Sequence, residues 1–423
     1  MKKEICVRAE NGIPVYSYTN EHSGSFFISL FVKAGSMYEN EKNNGITHFL
    51  EHIAIRNVNH IMSGELYSLL DKYAIEFNAS SYSEMVQFYM CGAACNFSVA
   101  VQVISKLLMP ICLPRDEVET ERKRIKAEIR EVNDRTSLST FTQSKVWEDS
   151  SLSRQITGSA ATVSKITVNG LEKYRKEIFS PDNMFFYVTG NVTDDSLNEL
   201  CREVGKYPLH STLSHSNKAP VPAAFFKRDA AAYLKNADFT RVSYTFDIDM
   251  SRVSVPEVDL IYDIILGGYS SRFFIEMSER RGLFYDLNGS VERYANVGTL
   301  SFTYEVKEQN LMDATRLTVE ILSSFKTEVL PEDKCMKASY VDNAMMLYDD
   351  SRELNFTLGY DNHILNGMYS GLDGRRRAYS DVTPERLREV ARIIFDKDNL
   401  TFTMKGKKKK TDLDKIREIL REI

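Results

Sequence analysis

The sequence predicts an α+β protein of two related domains that arose by internal duplication, each a mainly antiparallel sheet packed with helices. Three observations predict it. One helix–turn–strand stretch occurs twice at a constant offset, strand candidates and helices fall in separate blocks, and a polar segment parts the two halves.

The repeat lies in residues 166–191 and 382–407, which align at an offset of 216 (383 − 167). Thr167 falls on Thr383, Leu171 on Leu387, and Ile178-Phe179 on Ile394-Phe395. Asp182-Asn183 falls on Asp398-Asn399, and Gly190 on Gly406. In each copy a Thr caps a helix, with Pro384 in the first turn of the second. An Asp-Asn turn then leads into a short apolar strand, Met184–Val188 or Leu400–Met404, closed by a Gly. Leu113-Pro114 and Leu330-Pro331 each open a further helical stretch at offset 217. Strands such as Phe26–Val32 and Gly298–Tyr304 stand apart from long helices such as 115–133, which favours α+β over a doubly wound sheet. Pro208 to Pro222 is rich in Ser, His and Pro without hydrophobic periodicity, and reads as a linker. The expected division is 1–208, a linker over 209–222, and 223–423.

Composition narrows the function. With 43% hydrophobic and 27% charged residues the chain suits two globular cores and excludes disordered and collagen-like classes. A net charge of −5 offers nothing global to nucleic acid or anionic membrane. The basic stretch Lys405–Lys410 sits at a turn before the last helix and reads as solvated. Trp147 is expected in a core. No apolar run has the length of a secretory signal core or a membrane span. Six cysteines in so long a chain do not read as a disulfide framework, so a cytoplasmic protein with reduced thiols is expected.

The sharpest chemical signal is Gly45-Ile46-Thr47-His48-Phe49-Leu50-Glu51-His52. His48 and His52 are four apart, so on a helix they leave one face and can grip one metal ion. Glu51 lies between them in sequence, close enough to take a proton from water at that ion. Two neutral imidazoles leave the cation's charge largely uncompensated, and water on such a cation drops to a pKa near ~7. H-x-x-E-H is the inverted counterpart of the H-E-x-x-H zinc helix. Asn44 stands ready as its cap.

A third ligand is needed. In helix 115–133, Glu121 and Glu128 are seven apart, nearly two turns, and share a face. One can coordinate while the other orients a histidine. An exposed helix laced with i,i+4 ion pairs would show the same charge density, and geometry alone leaves Glu117, Glu119, Glu121, Glu128 and Glu131 open.

His48-Phe49-Leu50-Glu51-His52 after Gly-Ile-Thr, followed by a helical E-x6-E, resembles the pitrilysin/insulinase family of zinc metallopeptidases, the family of the mitochondrial processing peptidase. The likeness runs over essentially the whole chain. Asn78-Ala79-Ser80 is similar to the family's Asn-Ala strand segment, and Ile156-Thr157-Gly158 with Tyr174 through Gly190 to its end-of-domain pattern. Leu266 to Phe274 and Arg281 to Tyr285 resemble its glycine-serine and substrate-tyrosine motifs. The resemblance implies Zn2+ held by His48, His52 and Glu128, with Glu51 as general base and Glu121 as its supporting carboxylate. It implies that Asn78 and Ala79 lie on an edge strand that pairs with an extended peptide, and that Tyr285 contacts substrate. At the offset of 216, Ile264, Gly267, Gly268 and Ala344 stand where His48, Glu51, His52 and Glu128 would be. The second half therefore reads as a non-metal duplicate for substrate holding and assembly.

Two departures bear on this reading. The family's substrate-holding pattern is R-x6-Y, yet the residue seven before Tyr285 is Ser278, which lacks a guanidinium's charged fork. By resemblance to heterodimers that split zinc site and Arg/Tyr pair between subunits, the chain is expected to be the zinc-bearing subunit. Its partner would be a second family subunit supplying the pair, with a homodimer as the alternative. Ile53 to Val58 also departs from the usual run after the zinc helix motif, which implies a changed pocket wall and untouched metal chemistry. The expected activity is a zinc-dependent endopeptidase for unfolded peptides or precursor leaders. The competing readings are a non-catalytic assembly subunit of the same fold and a self-sufficient homodimeric oligopeptidase.

Overall fold

The computed structural model describes residues 4–134, 138–148, 150–209, 228–234, 239–331, 335–367, 369–407 and 413–423. Its strands are β1 (Ile5–Arg8), β2 (Pro14–Thr19), β3 (Ser25–Val32), β4 (Glu76–Ser81), β5 (Val86–Ala93), β6 (Met184–Gly190), β7 (Arg228–Leu234), β8 (Phe239–Asp249), β9 (Phe284–Arg293), β10 (Val297–Lys307) and β11 (Leu400–Lys407). The helices used below are α1 (Ile46–Ile61), α2 (Arg115–Asp134), α3 (Leu138–Val146), α4 (Val168–Ile178), α5 (Val255–Leu266), α6 (Ser351–Gly359) and α7 (Pro384–Ile394).

The first sheet has the order β1-β2-β6-β3-β5-β4 and the second β7-β11-β8-β10-β9. Strands β2 and β6 run parallel, as do β7 and β11, and the remaining pairs are antiparallel. Removing β1 leaves two sheets of identical order and direction, as an internal duplication requires. The fold is α+β in two related domains.

The same local chemistry terminates the repeated helices. Thr167 Oγ1 accepts from the Gly170 N–H at the start of α4, and Thr383 Oγ1 from the Arg386 N–H at the start of α7. Asn183 Nδ2 donates to the Ile178 carbonyl and Asn399 Nδ2 to the Ile394 carbonyl, so each turn satisfies the last turn of its helix before the strand begins. The Leu-Pro match holds at α2, which begins at Arg115. In the second copy residues 332–334 lie outside the described residues, and the next described helical turn is Ala338–Val341.

Two compact units form, and they are not cut simply at the linker. One comprises 1–134, 154–217 and 343–375; the other comprises 135–153, 218–342 and 376–423. Each half gives one helical segment to the other unit. The segments are themselves a repeat, since 135–153 falls on 351–369 at the offset of 216. Seven of the eight residues of β3 are buried, so both faces of the first sheet need cover. On one face α1 and its neighbours enclose Ile28, Leu30 and Phe88. On the other, Phe31, Phe185 and Tyr187 pack with Leu354, Leu358 and Ile364. Asn355 of α6 is fully buried there and donates to the Tyr187 carbonyl at 2.8 Å while accepting from Ser29 Oγ at 2.6 Å. In the second unit Trp147 is 1% exposed and packs edge-on to Tyr294, a core position. Beyond Pro208 and Leu209, the linker expected over 209–222 lies outside the described residues.

Candidate metal centre

The centre is built on α1, whose start is fixed by its surroundings. Gly45 takes the N-cap position with φ +92°, and a Cβ there would stand 2.7 Å from the Thr157 carbonyl oxygen. The expected cap Asn44 does not cap. Its amide donates instead to Glu39 and to the Gln155 carbonyl, both at 2.9 Å. The cap is Glu39, 4% exposed, whose Oε2 accepts from the Gly45 N–H at 2.7 Å and Oε1 from the Thr47 N–H at 2.9 Å. A carboxylate on these unpaired N–H groups also meets the positive end of the helix dipole. Thr47 Oγ1 further bonds Tyr174 OH at 2.7 Å, tying the first turn of α1 to α4.

With that turn fixed, His48 and His52 leave one face, their ring centroids 4.7 Å apart. Glu128 of α2 comes to meet them. Its Oε2 lies 3.3 Å from His48 Nε2 and 3.8 Å from His52 Nε2. One ligand atom from each of the three falls within 4.8 Å of the others. Tetrahedral zinc with donors near 2.0–2.2 Å sets those donors about 3.4 Å apart, so the cluster fits the ion. The electrostatics agree. Burial works against a charged His48, but hydrogen bonds to Glu128 and Glu51 outweigh it and lift its pKa to about 9, so the pocket favours positive charge.

Glu121 is 2% exposed and sits behind the ligands. Its Oε2 lies 3.3 Å from His52 Nδ1, which places the ring proton on Nδ1 and leaves the Nε2 lone pair toward Glu128. Arg56 Nη1 donates to Glu121 Oε1 at 2.6 Å, and Arg124 Nη1 at 3.1 Å. The run after the zinc motif thus does reach the metal chemistry, contrary to expectation. Arg56 and Glu121 lie on α1 and α2, a pairing that no spacing within either helix reports.

Glu51 points from α1 to the end of β4, where Ser81 Oγ donates to its Oε2. Burial pushes the Glu51 carboxyl up, but the contacts with His48 and Ser81 outweigh it and hold the group below the usual carboxylate range. Strand β4 is the edge of the first sheet. The Ala79 N–H bonds Asn78 Oδ1 at 2.8 Å, and β5 pairs along one side of the strand only, which leaves the other side as the open edge. The strand carrying Asn78 and Ala79 therefore runs past Glu51 with main-chain groups available for pairing. The side chain of Tyr285 lies outside the described residues; its backbone is in β9. Ser278 lies in the turn Phe274–Glu279, and Arg280 and Arg281 both bind Glu276. In the second unit α5 ends at Leu266 with Gly267 as its C-cap. The strand registers correct the offset of 216 to 214 at β5/β10 and 210 at β4/β9, so the positions matching His48, Glu51 and His52 fall within 258–266 of α5, where no His or Glu stands. Among the described residues, His48, His52 and Glu128 form the only such ligand group.

Comparison with known proteins gives consistent matches. Residues 15–160 match the family described as insulinase (peptidase family M16), and residues 165–338 match the peptidase M16 inactive domain. An uncharacterized zinc protease of Mycobacterium bovis is 24% identical over 392 residues, covering 89% of this chain and 86% of that protein. A Pseudomonas fluorescens structure described as a peptidase M16 inactive domain superposes with a TM-score of 0.85 at 14% identity, covering 97% of this chain and 99% of that one. The periplasmic protease PqqL of Escherichia coli matches with a TM-score of 0.82 at 16% identity, over 100% of this chain and 50% of that one. No helix among the described residues is long and apolar enough to cross a membrane.

Proposed function

This chain belongs to the insulinase (M16) family of zinc metallopeptidases, and from that membership and the site's geometry we propose that it is a zinc-dependent endopeptidase for unfolded peptides or precursor leaders. The observation that carries the proposal is the meeting of His48 Nε2, His52 Nε2 and Glu128 Oε2 beside a carboxylate, Glu51, that is held separately by Ser81. A scaffold has no use for that second, independently held carboxylate.

His48, His52 and Glu128 hold the ion, and Glu121 fixes His52 in its ligating tautomer. Zinc bound there supplies Lewis acidity toward a peptide carbonyl. Glu51, ionised at neutral pH, takes a proton from the attacking water at a carboxylate oxygen and returns it to the leaving amine nitrogen. Ser81 keeps that carboxylate from rotating away. The open edge at Asn78-Ala79 pairs with the extended substrate and sets the scissile bond in register.

The chain acts as the catalytic partner in a two-subunit clamshell, the other subunit supplying an Arg/Tyr pair. Support comes from Ser278 at the arginine position, from Arg280 and Arg281 being committed to Glu276, and from a periplasmic protease chain of which this chain spans half. All six cysteines are free thiols, which supports a reducing, cytoplasmic setting. The test is cleavage of an unstructured peptide library by the purified chain, beside Glu51→Gln and a chelated sample, with bound zinc quantified. Cleavage lost in both controls supports the peptidase. Zinc without cleavage, restored by a second family subunit, supports the heterodimer. A chain that binds no zinc refutes the reading.

A further inference from the structure

Strand β4 presents its side chains alternately to two faces. Ser81 faces Glu51, and its neighbour Ser80 faces the opposite side of the sheet, into a cavity of about 310 Å³ closed by α6. The cavity is lined by Phe27, Tyr82 and Tyr89 of the first sheet and its turn, and by Phe356 of α6. Phe27 and Tyr89 stack at 5.2 Å, and the Arg352 guanidinium lies over both, at 5.4 Å and 5.2 Å. Arg352 Nη2 is bound to Glu76, which neutralises its charge at the rim. At the floor, Gln87 is 4% exposed, and its amide nitrogen is committed to Ser29 Oγ at 2.9 Å, which leaves its carbonyl oxygen as an acceptor.

The fold alone does not impose this lining. Ser80 pairs with Gln87 across β4 and β5, as Ser290 pairs with Ser301 across β9 and β10. The equivalent place in the second unit is a smaller cavity of about 110 Å³, where Ser290, Ser301 and Thr303 stand for Ser80, Gln87 and Tyr89, closed by α3. The second copy is lined mostly by hydroxyls, with Trp147 and Glu292 among them, whereas four rings line the first, which adjoins the strand that passes Glu51.

We propose that the cavity behind β4 is a side-chain subsite for an aromatic residue of an extended peptide paired to that strand. The inference rests on the reading of β4 as the peptide-binding edge. Side chains of a paired peptide alternate between faces, so those sharing the face of Ser81 turn to the metal centre and those sharing the face of Ser80 turn to the cavity. The aromatic walls take the ring. A phenol or indole donor finds the Gln87 carbonyl oxygen. The Arg352–Glu76 pair at the mouth is neutral, and the further lining carboxylate, Glu353, disfavours a glutamate.

The test uses the full chain, zinc-loaded, carrying Glu51→Gln so that peptides are bound and not cut. Labelled Gly/Ala/Ser peptides with one scanned Tyr, Phe, Glu or Lys are titrated by fluorescence anisotropy. A Tyr or Phe at one register is expected to bind about tenfold to a hundredfold more tightly than Ala, the range that burying one aromatic side chain supplies. Adding Phe356→Ala, or Tyr82→Ala, should bring that ratio near one, with zinc content and unfolding midpoint showing that each variant is folded. Peptide binding with no side-chain preference, or a preference that survives both variants, overturns the subsite and leaves the edge-strand reading standing. If no peptide binds at all, both fall.

Discussion

Glu39 supports the metal centre without touching it, and its removal tests how α1 is held. Glu39→Ala deletes a nearly buried carboxylate that accepts from the N–H groups of Gly45 and Thr47 and from the Asn44 amide. Hydrogen bonds to a charged group contribute about 1.5–3 kcal/mol each, and buried N–H groups left unpaired cost about 1–3 kcal/mol each. Loss of a helix cap alone costs about 0.5–2 kcal/mol. These figures describe overlapping contacts, and the loss expected is about 3–5 kcal/mol, or roughly 10²–10⁴ in the local opening equilibrium. The chain's single tryptophan, Trp147, lies in the other compact unit, so its fluorescence is the wrong probe. Amide hydrogen exchange over residues 46–61 reads the opening of α1 directly. Exchange there should accelerate by about that factor. Zinc affinity, measured by chelator competition, should fall at least about tenfold, because His48 sits in the first turn after the cap. Exchange and zinc affinity both unchanged would refute the assignment of Glu39 as the anchor of the helix.

Three further outcomes are expected. Glu121→Ala removes the partner of His52 Nδ1 and should weaken zinc binding by about 10–100-fold while the fold persists, as chelator competition and circular dichroism would report. Ser81→Ala frees Glu51 without touching a ligand; zinc content should stay at the wild-type level while kcat/KM for a cleaved peptide drops about tenfold or more. Asp263, near the C-terminal end of α5, has its pKa raised by burial and by neighbouring Asp259, with Tyr340 opposing. Folding thus favours its protonated form, and the cost of ionising it appears only as pH rises above the unfolded-state value and through the folded one. Asp263→Asn should be more stable than wild type at pH 7, with the difference gone near about pH 3 in thermal melts. A difference independent of pH would mean the effect is not ionic.

The duplicated fold is legible where its chemistry is local. Thr167 and Thr383 cap helices three residues from the N–H they accept, and Asn183 and Asn399 close turns five residues from their carbonyls, so a window of about ten residues shows each motif. The exchange of segments between units is not local. Helix α6 shows an apolar face in Leu354 and Leu358 and α3 hardly any, and even an amphipathic helix does not say which sheet it covers. The one sequence signal is indirect. Strand β3 reads Ser25-Phe26-Phe27-Ile28-Ser29-Leu30-Phe31-Val32, nearly all apolar, and such a strand demands cover on both faces.

The candidate site divides in the same way. His48, Glu51 and His52 share one helix, and Glu121 and Glu128 another, so spacing brings each set to one face. The groups that hold them come from elsewhere: Glu39 from the loop before α1, Ser81 from β4, Arg56 from one helix to a carboxylate of the next. Sequence spacing cannot report contacts made across elements. The consequence appears in the second unit, where α5 ends at Leu266 and Gly267 caps it. By the sheet register the positions matching His48, Glu51 and His52 lie within α5, so ligands restored there would share a face. The position matching Ser81, however, is Val291, next to Ser290, and it has no hydroxyl to hold a base. Helix spacing alone therefore does not make the site: ligands restored in the duplicate would still lack the groups that other elements contribute around α1 in the first unit.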